Sequence, residues 1–374
     1  MLPSSRGLGH PPFTQVTRVR ISLGVPFQKV NKVCPVELKH MKLLHIELTN
    51  RCTLECPACP RTVWKNTTKH PIKKADLDIE QLASFLDCPG GKEIEKFILC
   101  GDYGDSIYYP KLIEFIKYFR SRKFEIFTNG SLRDENFWKE LSNNLTNQDT
   151  IIFAIDGLED TNHLYRKNTN WDSIMLAIDI MSKSPVRVIW KTIVFSFNYD
   201  KLEKIQELAN LKGAEFVVEK THRYGEESLV PPDHLINQQV LYQKEFNKIE
   251  PIDIKPRCMS KKVVTSDGYF LPCHWIRSPM TFFKSDLWKQ RDIWFDRMSI
   301  NKINYDQGLD LIKQWSDTVL QKGINGGPNL DVLCKMKCRA GCEQDDIWDD
   351  EHIDVAIFKL NNIKANLFTQ GTHV

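Results

Sequence analysis

The chain has 374 residues, with 51 Lys+Arg against 48 Asp+Glu for a formal net charge of +3, and 41% of its residues are hydrophobic. This balance excludes a disordered chain, a collagen-like chain and a strongly basic nucleic-acid binder, and no apolar run reaches the ~18–20 residues that a membrane span requires. The length accommodates one large domain plus a smaller one, each with its own core.

Residues 1–40 differ from the rest. No Asp or Glu occurs up to Val36, while Arg6, Arg18, Arg20, Lys29 and Lys32 do, and Pro and Gly interrupt any periodicity. A solvated, disordered arm fits this composition. A mitochondrial presequence would also be basic and acid-poor, but Pro11-Pro12 and the glycines oppose an amphipathic helix. A misassigned start is the third reading: Val19-Arg20-Ile21 is what the common T-arm sequence of a transfer-RNA gene, GTTCGAATC, encodes in frame, and Met41 then opens a clean strand. Met41 is accordingly expected to be the true first residue.

From Met41 a rhythm sets in. Leu43–Thr49, Lys96–Cys100, Phe124–Thr128, Ile151–Ile155, Val188–Val194 and Phe216–Glu219 are rich in aliphatic and aromatic residues and read as strands. Helical patterns lie between them at Asp78–Leu86, Pro110–Phe119, Glu135–Leu145, Trp171–Met181 and Lys201–Leu211. Six strands alternating with helices predict βα units and a parallel sheet. Such a sheet curls toward a partial or full barrel, with ligands at the carboxyl ends of its strands. Pro231-Pro232 and the polar, two-proline segment Glu250–Pro256 mark a boundary. The division is therefore a core over residues 41–250 and a smaller, cysteine-bearing region over 251–374.

Eleven cysteines are too few for a disulfide scaffold at this length, and the count is odd. With no secretory signal evident, a reducing, cytoplasmic setting is expected, with thiols kept for metal or catalysis. Three of them follow the first strand directly, in Cys52-Thr53-Leu54-Glu55-Cys56-Pro57-Ala58-Cys59. Three thiolates on one tight loop converge on a single cluster or metal and are soft ligands suited to Fe–S or Zn. A closed structural site takes four ligands, so three local ones suggest an open position. The alternatives are a zinc site completed by His45 or His70, or a redox pair of Cys56 and Cys59.

With Cys-x3-Cys-x2-Cys placed after a first strand, the sequence resembles the radical S-adenosylmethionine (SAM) superfamily. The resemblance implies a [4Fe–4S] cluster held by Cys52, Cys56 and Cys59, with SAM on the fourth iron, and an (αβ)6 partial TIM barrel. It implies reductive cleavage of SAM to a 5′-deoxyadenosyl radical that takes hydrogen from substrate. Gly104-Asp105-Ser106 is similar to the family's Gly-Glu-Pro element at the SAM amino group, with Asp and Ser substituted. Asn129, in Thr128-Asn129-Gly130, matches an element beside the ribose. Asp156-Gly157 with Arg166 resembles a Ser-x-Asp-Gly…Arg pattern that meets the SAM carboxylate, with Ala154 in the place of the Ser. Read as residues alone, each of these is also an ordinary turn or a surface arginine; their order at successive strand ends supports the resemblance, which spans residues 43–214.

Cys258 and Cys273 flank Val263–Leu271, which reads as a hairpin with Asp267-Gly268 at its turn. With Cys334, Cys338 and Cys342 they resemble the SPASM/twitch extension. Five candidate ligands fall short of the seven or eight, roughly, that two full clusters require, so one auxiliary [4Fe–4S] cluster is expected, on Cys258, Cys273 and Cys342 with Cys334 or Cys338 as the fourth; a zinc ribbon is the alternative. Cys34, Cys88 and Cys100 read as structural. Trp288, Trp294, Phe295 and Trp315 read as helix packing, and the acidic run Glu343–Glu351 as a solvated face. The expected partners are a peptide or protein side chain as substrate, with a small sugar- or nucleotide-like molecule as the alternative, and a reductant such as flavodoxin or ferredoxin. Neither nucleic acid nor membrane is expected. A non-catalytic Fe–S electron carrier or zinc-stabilised binding module is the reading from a different class.

Overall fold

The computed structural model describes residues 42–67, 72–101, 103–219, 262–272 and 296–315. Six strands, β1 (Leu43–Ile46), β2 (Lys96–Leu99), β3 (Lys123–Thr128), β4 (Thr150–Ala154), β5 (Arg187–Ile193) and β6 (Glu215–Glu219), lie within a residue or two of the expected runs at their amino ends and stop earlier at several carboxyl ends. Helices α1 (Pro60–Thr67), α2 (Ile79–Leu86), α3 (Pro89–Lys92), α4 (Leu112–Tyr118), α5 (Glu135–Asn144), α6 (Asn162–Tyr165), α7 (Trp171–Met181), α8 (Ser196–Tyr199) and α9 (Leu202–Leu211) fall among them. Side-chain caps start three of them: Asp78 Oδ1 accepts from Gln81 N at 2.9 Å, Asp134 Oδ1 from Phe137 N at 2.9 Å and Asn170 Oδ1 from Ser173 N at 3.0 Å, each worth about 1 kcal/mol.

The strands pair in the order β6-β5-β4-β3-β2-β1, each parallel to its neighbour in sequence. There is no reversal of strand order, so right-handed crossovers deliver the helices to one face of the sheet. The fold is the expected α/β partial barrel: six parallel strands, five of them followed by helices among the described residues, where a closed barrel needs eight βα units. Adjacent residues of β4 show the two faces. Ile151 and Phe153 belong to the large core under the helices, whereas Ile152 joins Ile189 and Val217 in a separate cluster with Phe127 against it. That inner face also carries charge: Lys96 pairs with Glu125 and Lys191 with Glu219, both at 2.6 Å, and the Lys191 ammonium sits 5.0 Å from the Phe127 ring centre.

The expected hairpin forms β7 (Val263–Val264) and β8 (Phe270–Leu271), paired antiparallel. Gly268 closes its turn at φ +80°, donating to Thr265 O at 2.9 Å, a conformation that costs glycine nothing. The hairpin is not apart from the barrel sheet: β7 pairs parallel to β1, His45 opposite Val263. A last helix, α10 (Tyr305–Trp315), packs Tyr305 against Phe85 and Phe270, with ring centres 5.9 and 5.5 Å apart, and buries Trp315. Residues 1–40, the segment around the expected boundary, Cys34, Cys258, Cys273, Cys334, Cys338, Cys342, Trp288, Trp294, Phe295 and the acidic run lie outside the described residues. Among the described residues no helix is long and apolar enough to cross a membrane.

Candidate functional site

The segment after β1 leaves the sheet as an irregular loop that is clamped along its length. Thr49 Oγ1 donates to Asp76 Oδ1 at 2.7 Å, Asn50 donates to Lys73 O at 2.6 Å and accepts from Ala75 N at 3.0 Å, and Arg51 is ion-paired with Asp76. Further along, Thr53 Oγ1 lies 2.6 Å from Tyr108 OH, Glu55 N donates to Lys167 O at 3.1 Å and Arg61 donates to Leu54 O at 3.1 Å. Cys59 N closes a turn on Cys56 O at 3.0 Å, and Pro60 then opens α1, a position where its missing N–H is no loss. Each anchor satisfies a polar group that would otherwise be stranded, and together they fix where the three cysteines stand.

Those cysteines face an apolar wall. Cys56 is buried with Leu54, Ala58, Tyr165, Ile193 and Phe195, while Cys52, Cys59 and Phe197 pack on the same cluster. Burial, together with the negative charge of Asp105, pushes the Cys52 thiol up to about 12. Burial pushes Cys56 up to about 11, with Arg166 opposing the rise. These rises are those of the metal-free thiols; a bound metal deprotonates a thiol outright. Cys52, Cys56 and Cys88 carry free thiols. Among the described residues no three His, Cys, Asp or Glu side chains converge closely enough to hold a single metal ion; thiolates on one zinc would stand only about 3.8 Å apart, from a Zn–S bond of about 2.3 Å. His45 lies within β1, opposite Ile98 and Val263, and His70 lies outside the described residues.

Loops from the ends of three further strands close over the cysteines. After β2, Gly104 lies so near the Cys-loop backbone that a Cβ there would strike the Thr49 carbonyl and approach Asn50 Cα to 2.8 Å. The next residue, Asp105, donates its N–H to Arg51 O at 3.0 Å. Its carboxylate is engaged on both oxygens: Oδ1 accepts from Ile107 N at 3.1 Å, and Oδ2 from the backbone N and Nδ2 of Asn129, both at 2.6 Å. Burial raises the Asp105 pKa to about 6 against these hydrogen bonds.

Asn129, at the end of β3, is thereby tied to Asp105, and its Nδ2 also points at Cys52 Sγ at 3.6 Å. Asp156, after β4, is fully buried; Oδ1 accepts from Ile193 N at 2.7 Å and Oδ2 from Arg166 Nε at 2.6 Å. Burial acts against both charges, but each is the other's counter-ion, and Asp156 with Cys56 holds Arg166 firmly protonated. Arg166 lies over the Tyr165 ring at 5.1 Å, and its positive charge opposes the rise of the Cys56 thiol.

All five residues expected to contact SAM thus sit in the loops around the cysteines. Asp105 and Asp156 are occupied in holding neighbouring loops, a role that reading them as ligand contacts did not include. Sequence reading missed two others. Glu47, next to the end of β1, is buried and accepts from Tyr103 N at 2.9 Å and from Ser266 Oγ at 3.3 Å, so it joins β1, the loop after β2 and the hairpin turn. Its only signal is one acid in an apolar run. Asn198 is also fully buried and donates to Asp156 O at 2.7 Å and Ile193 O at 2.8 Å, locking the ends of β4 and β5; nothing in the local sequence marks it.

The donor set suits an iron–sulfur cluster, which spans more space than one ion: three thiols on one clamped loop packed on a shared apolar cluster, with an amide donating to one of the sulfurs, which are features that hold and tune such clusters.

No protein-family model matches the chain. A stretch of 120 residues, 32% of this chain, is 28% identical to the tungsten-containing aldehyde ferredoxin oxidoreductase cofactor-modifying protein of Pyrococcus furiosus, and spans about a third (32%) of that relative's length. Among solved structures the chain is similar to SuiB of Streptococcus suis bound to S-adenosylmethionine, at 13% identity and TM-score 0.47 over 69% of this chain and 68% of that one. It is also similar to anSMEcpe with bound AdoMet and the Cp18Cys peptide, at 16% identity and TM-score 0.47 over 86% and 99% of the two chains.

Proposed function

We propose that this chain is a radical SAM enzyme whose [4Fe–4S] cluster is held by Cys52, Cys56 and Cys59. When bound, the cluster and SAM supply one-electron cleavage of the sulfonium and a 5′-deoxyadenosyl radical that abstracts hydrogen from substrate. One observation carries the reading: three cysteines on a clamped loop at the carboxyl end of β1, with loops from the ends of β2, β3 and β4 converging on them, where ligands belong in this class of sheet.

The chain's own residues have distinct tasks. The Cys loop presents three ligands and leaves one iron for SAM. Gly104 lets the loop after β2 seat on the Thr49–Asn50 backbone, and Asp105, Asn129, Asp156 and Arg166 frame the space where SAM binds. The apolar wall of Leu54, Ile193, Phe195 and Tyr165 excludes water, which protects a reactive intermediate. Cys258, Cys273 and Cys342, with Cys334 or Cys338, hold one auxiliary cluster in a C-terminal region over 251–374. A flavodoxin- or ferredoxin-like protein delivers the electron in a reducing, cytoplasmic setting.

The favoured substrate is a peptide or protein side chain, on the SPASM/twitch-like cysteine pattern. A small, cofactor-sized molecule is the second reading, favoured by the match to a cofactor-modifying protein. The test is anaerobic reconstitution, reduction with dithionite and assay for 5′-deoxyadenosine. Product that vanishes in Cys56→Ala supports the proposal; none from fully reconstituted protein overturns it in favour of an electron carrier or binding module.

A further inference from the structure

An acid-braced donor reaches one sulfur of the triplet, and an acid-braced cation acts on a second, from the loops after two different strands. Asn129 has its amide orientation fixed by its partners. Its Oδ1 accepts from Ser131 N at 2.9 Å, so Nδ2 carries both donor hydrogens. One goes to the acceptor-only Asp105 carboxylate at 2.6 Å and the other faces Cys52 Sγ at 3.6 Å. Arg166 is braced in the same way, with Nε held by Asp156 Oδ2 at 2.6 Å and the guanidinium on Tyr165, which packs in one cluster with Cys56, so that its charge acts on that thiol.

Both acids are themselves fixed by backbone N–H groups, Ile107 and Ile193. A buried carboxylate is costly, and a neutral polar or apolar packing would tie two loops together at lower cost. What a carboxylate adds is a fixed, polarised donor whose remaining N–H points one way, which is how an outer layer of residues governs metal-bound ligands.

We infer that Asn129 and Arg166 are positioning residues for the cluster itself, Asn129 donating to the sulfur of Cys52 and Arg166 setting its positive charge near Cys56, each held in place by its own buried acid, Asp105 or Asp156. The inference rests on the proposed cluster at Cys52, Cys56 and Cys59. Donors at a ligating sulfur withdraw negative charge and make the cluster easier to reduce. The pairs act on separate sulfurs from separate strand ends, so their effects are close to additive.

The experiment is reductive titration of the reconstituted protein followed by electron paramagnetic resonance, with iron and sulfide content and far-ultraviolet circular dichroism on the same samples. Arg166→Gln and Asn129→Ser are expected to bind iron as the parent does but to move the midpoint potential to more negative values. The double variant is expected to show nearly the sum of the two shifts, and Arg166→Lys to restore part of the first. Asn129→Ser keeps the backbone donor to Asp105 and a small hydroxyl, so it retains the loop while losing reach to Cys52; should Arg166→Gln fail to fold, the Asn129→Ser potential alone decides. Folded, iron-loaded variants with the parent's potential and spectrum would overturn the inference. A parent protein that assembles no cluster would instead overturn the proposed function, so the two failures are separable.

Discussion

Two buried aspartates bracket β4, Asp149 just before it and Asp156 just after, and both are fully excluded from solvent. Each faces an arginine: Asp149 Oδ1 accepts from Arg120 Nη2 at 2.9 Å, and Asp156 Oδ2 from Arg166 Nε at 2.6 Å. Asp149→Ala and Asp156→Ala are therefore a matched pair of perturbations at opposite ends of one strand. At Asp156 the substitution leaves a buried guanidinium unpaired, which costs about 3–5 kcal/mol, and orphans Ile193 N–H, about 1–3 kcal/mol with overlap between the two.

At Asp149 it strands Phe124 N and Thr146 N, which it accepts from at 2.8 Å each, but Arg120 is 34% exposed and recovers water; about 3–4 kcal/mol follows from the two lost backbone partners. Both variants should melt lower, Asp156→Ala by roughly 6–20 °C and Asp149→Ala by roughly 6–16 °C, at about 2–4 °C per kcal/mol for a barrel of this size. Only Asp156→Ala should also lose iron on reconstitution, because only Asp156 holds the backbone of Ile193, part of the apolar wall against which Cys56 packs. Thermal melts with iron analysis on matched samples read both effects. Equal iron loss in Asp149→Ala, or an Asp156→Ala melt within a degree or two of the parent, would refute the reasoning.

Two glycines separate collision from backbone strain. Gly104→Ala drives a Cβ into the Thr49 carbonyl and should cost about 2–4 kcal/mol from overpacking and the loosened Asp105–Arg51 hydrogen bond, with reduced iron retention. Gly268→Ala meets nothing nearer than Ile300 Cγ1 at 3.7 Å, so only its left-handed backbone counts, about 1–2 kcal/mol in chemical denaturation, with iron at the Cys52–Cys59 loop unchanged. Glu47→Ala removes the acceptor shared by Tyr103 N and the Ser266 hydroxyl, and hydrogen exchange over Val263–Leu271 should accelerate; unchanged protection there would mean the hairpin is held by its pairing with β1 alone.

The parallel sheet was readable because its strands are short, dense runs of β-branched and aromatic residues of the kind a strand covered on both faces requires, and because apolar spacing marks the helices between them. α7 begins and ends where its apolar spacing predicts. The cysteine loop was readable from spacing alone. α1 was not, because Pro60–Thr67 has no apolar stripe and takes its helical form from the Cys59 turn that precedes it. Glu47 and Ser266 are 219 positions apart, a distance over which no local pattern operates, and the joining of β7 to β1 is non-local in the same way. The acids at 105 and 156 were visible as motif residues, but their bracing of Asn129 and Arg166 depends on which strand ends lie side by side, which only the folded sheet specifies.

The most direct test of the cluster reading is spectroscopic titration of SAM into the anaerobically reconstituted, dithionite-reduced protein. The account predicts a reduced [4Fe–4S] signal, abolished in the Cys52→Ala, Cys56→Ala and Cys59→Ala variants, whose g values shift when SAM occupies the open iron. A stoichiometric zinc ion with no paramagnetic signal, or a cluster signal indifferent to SAM, would contradict it.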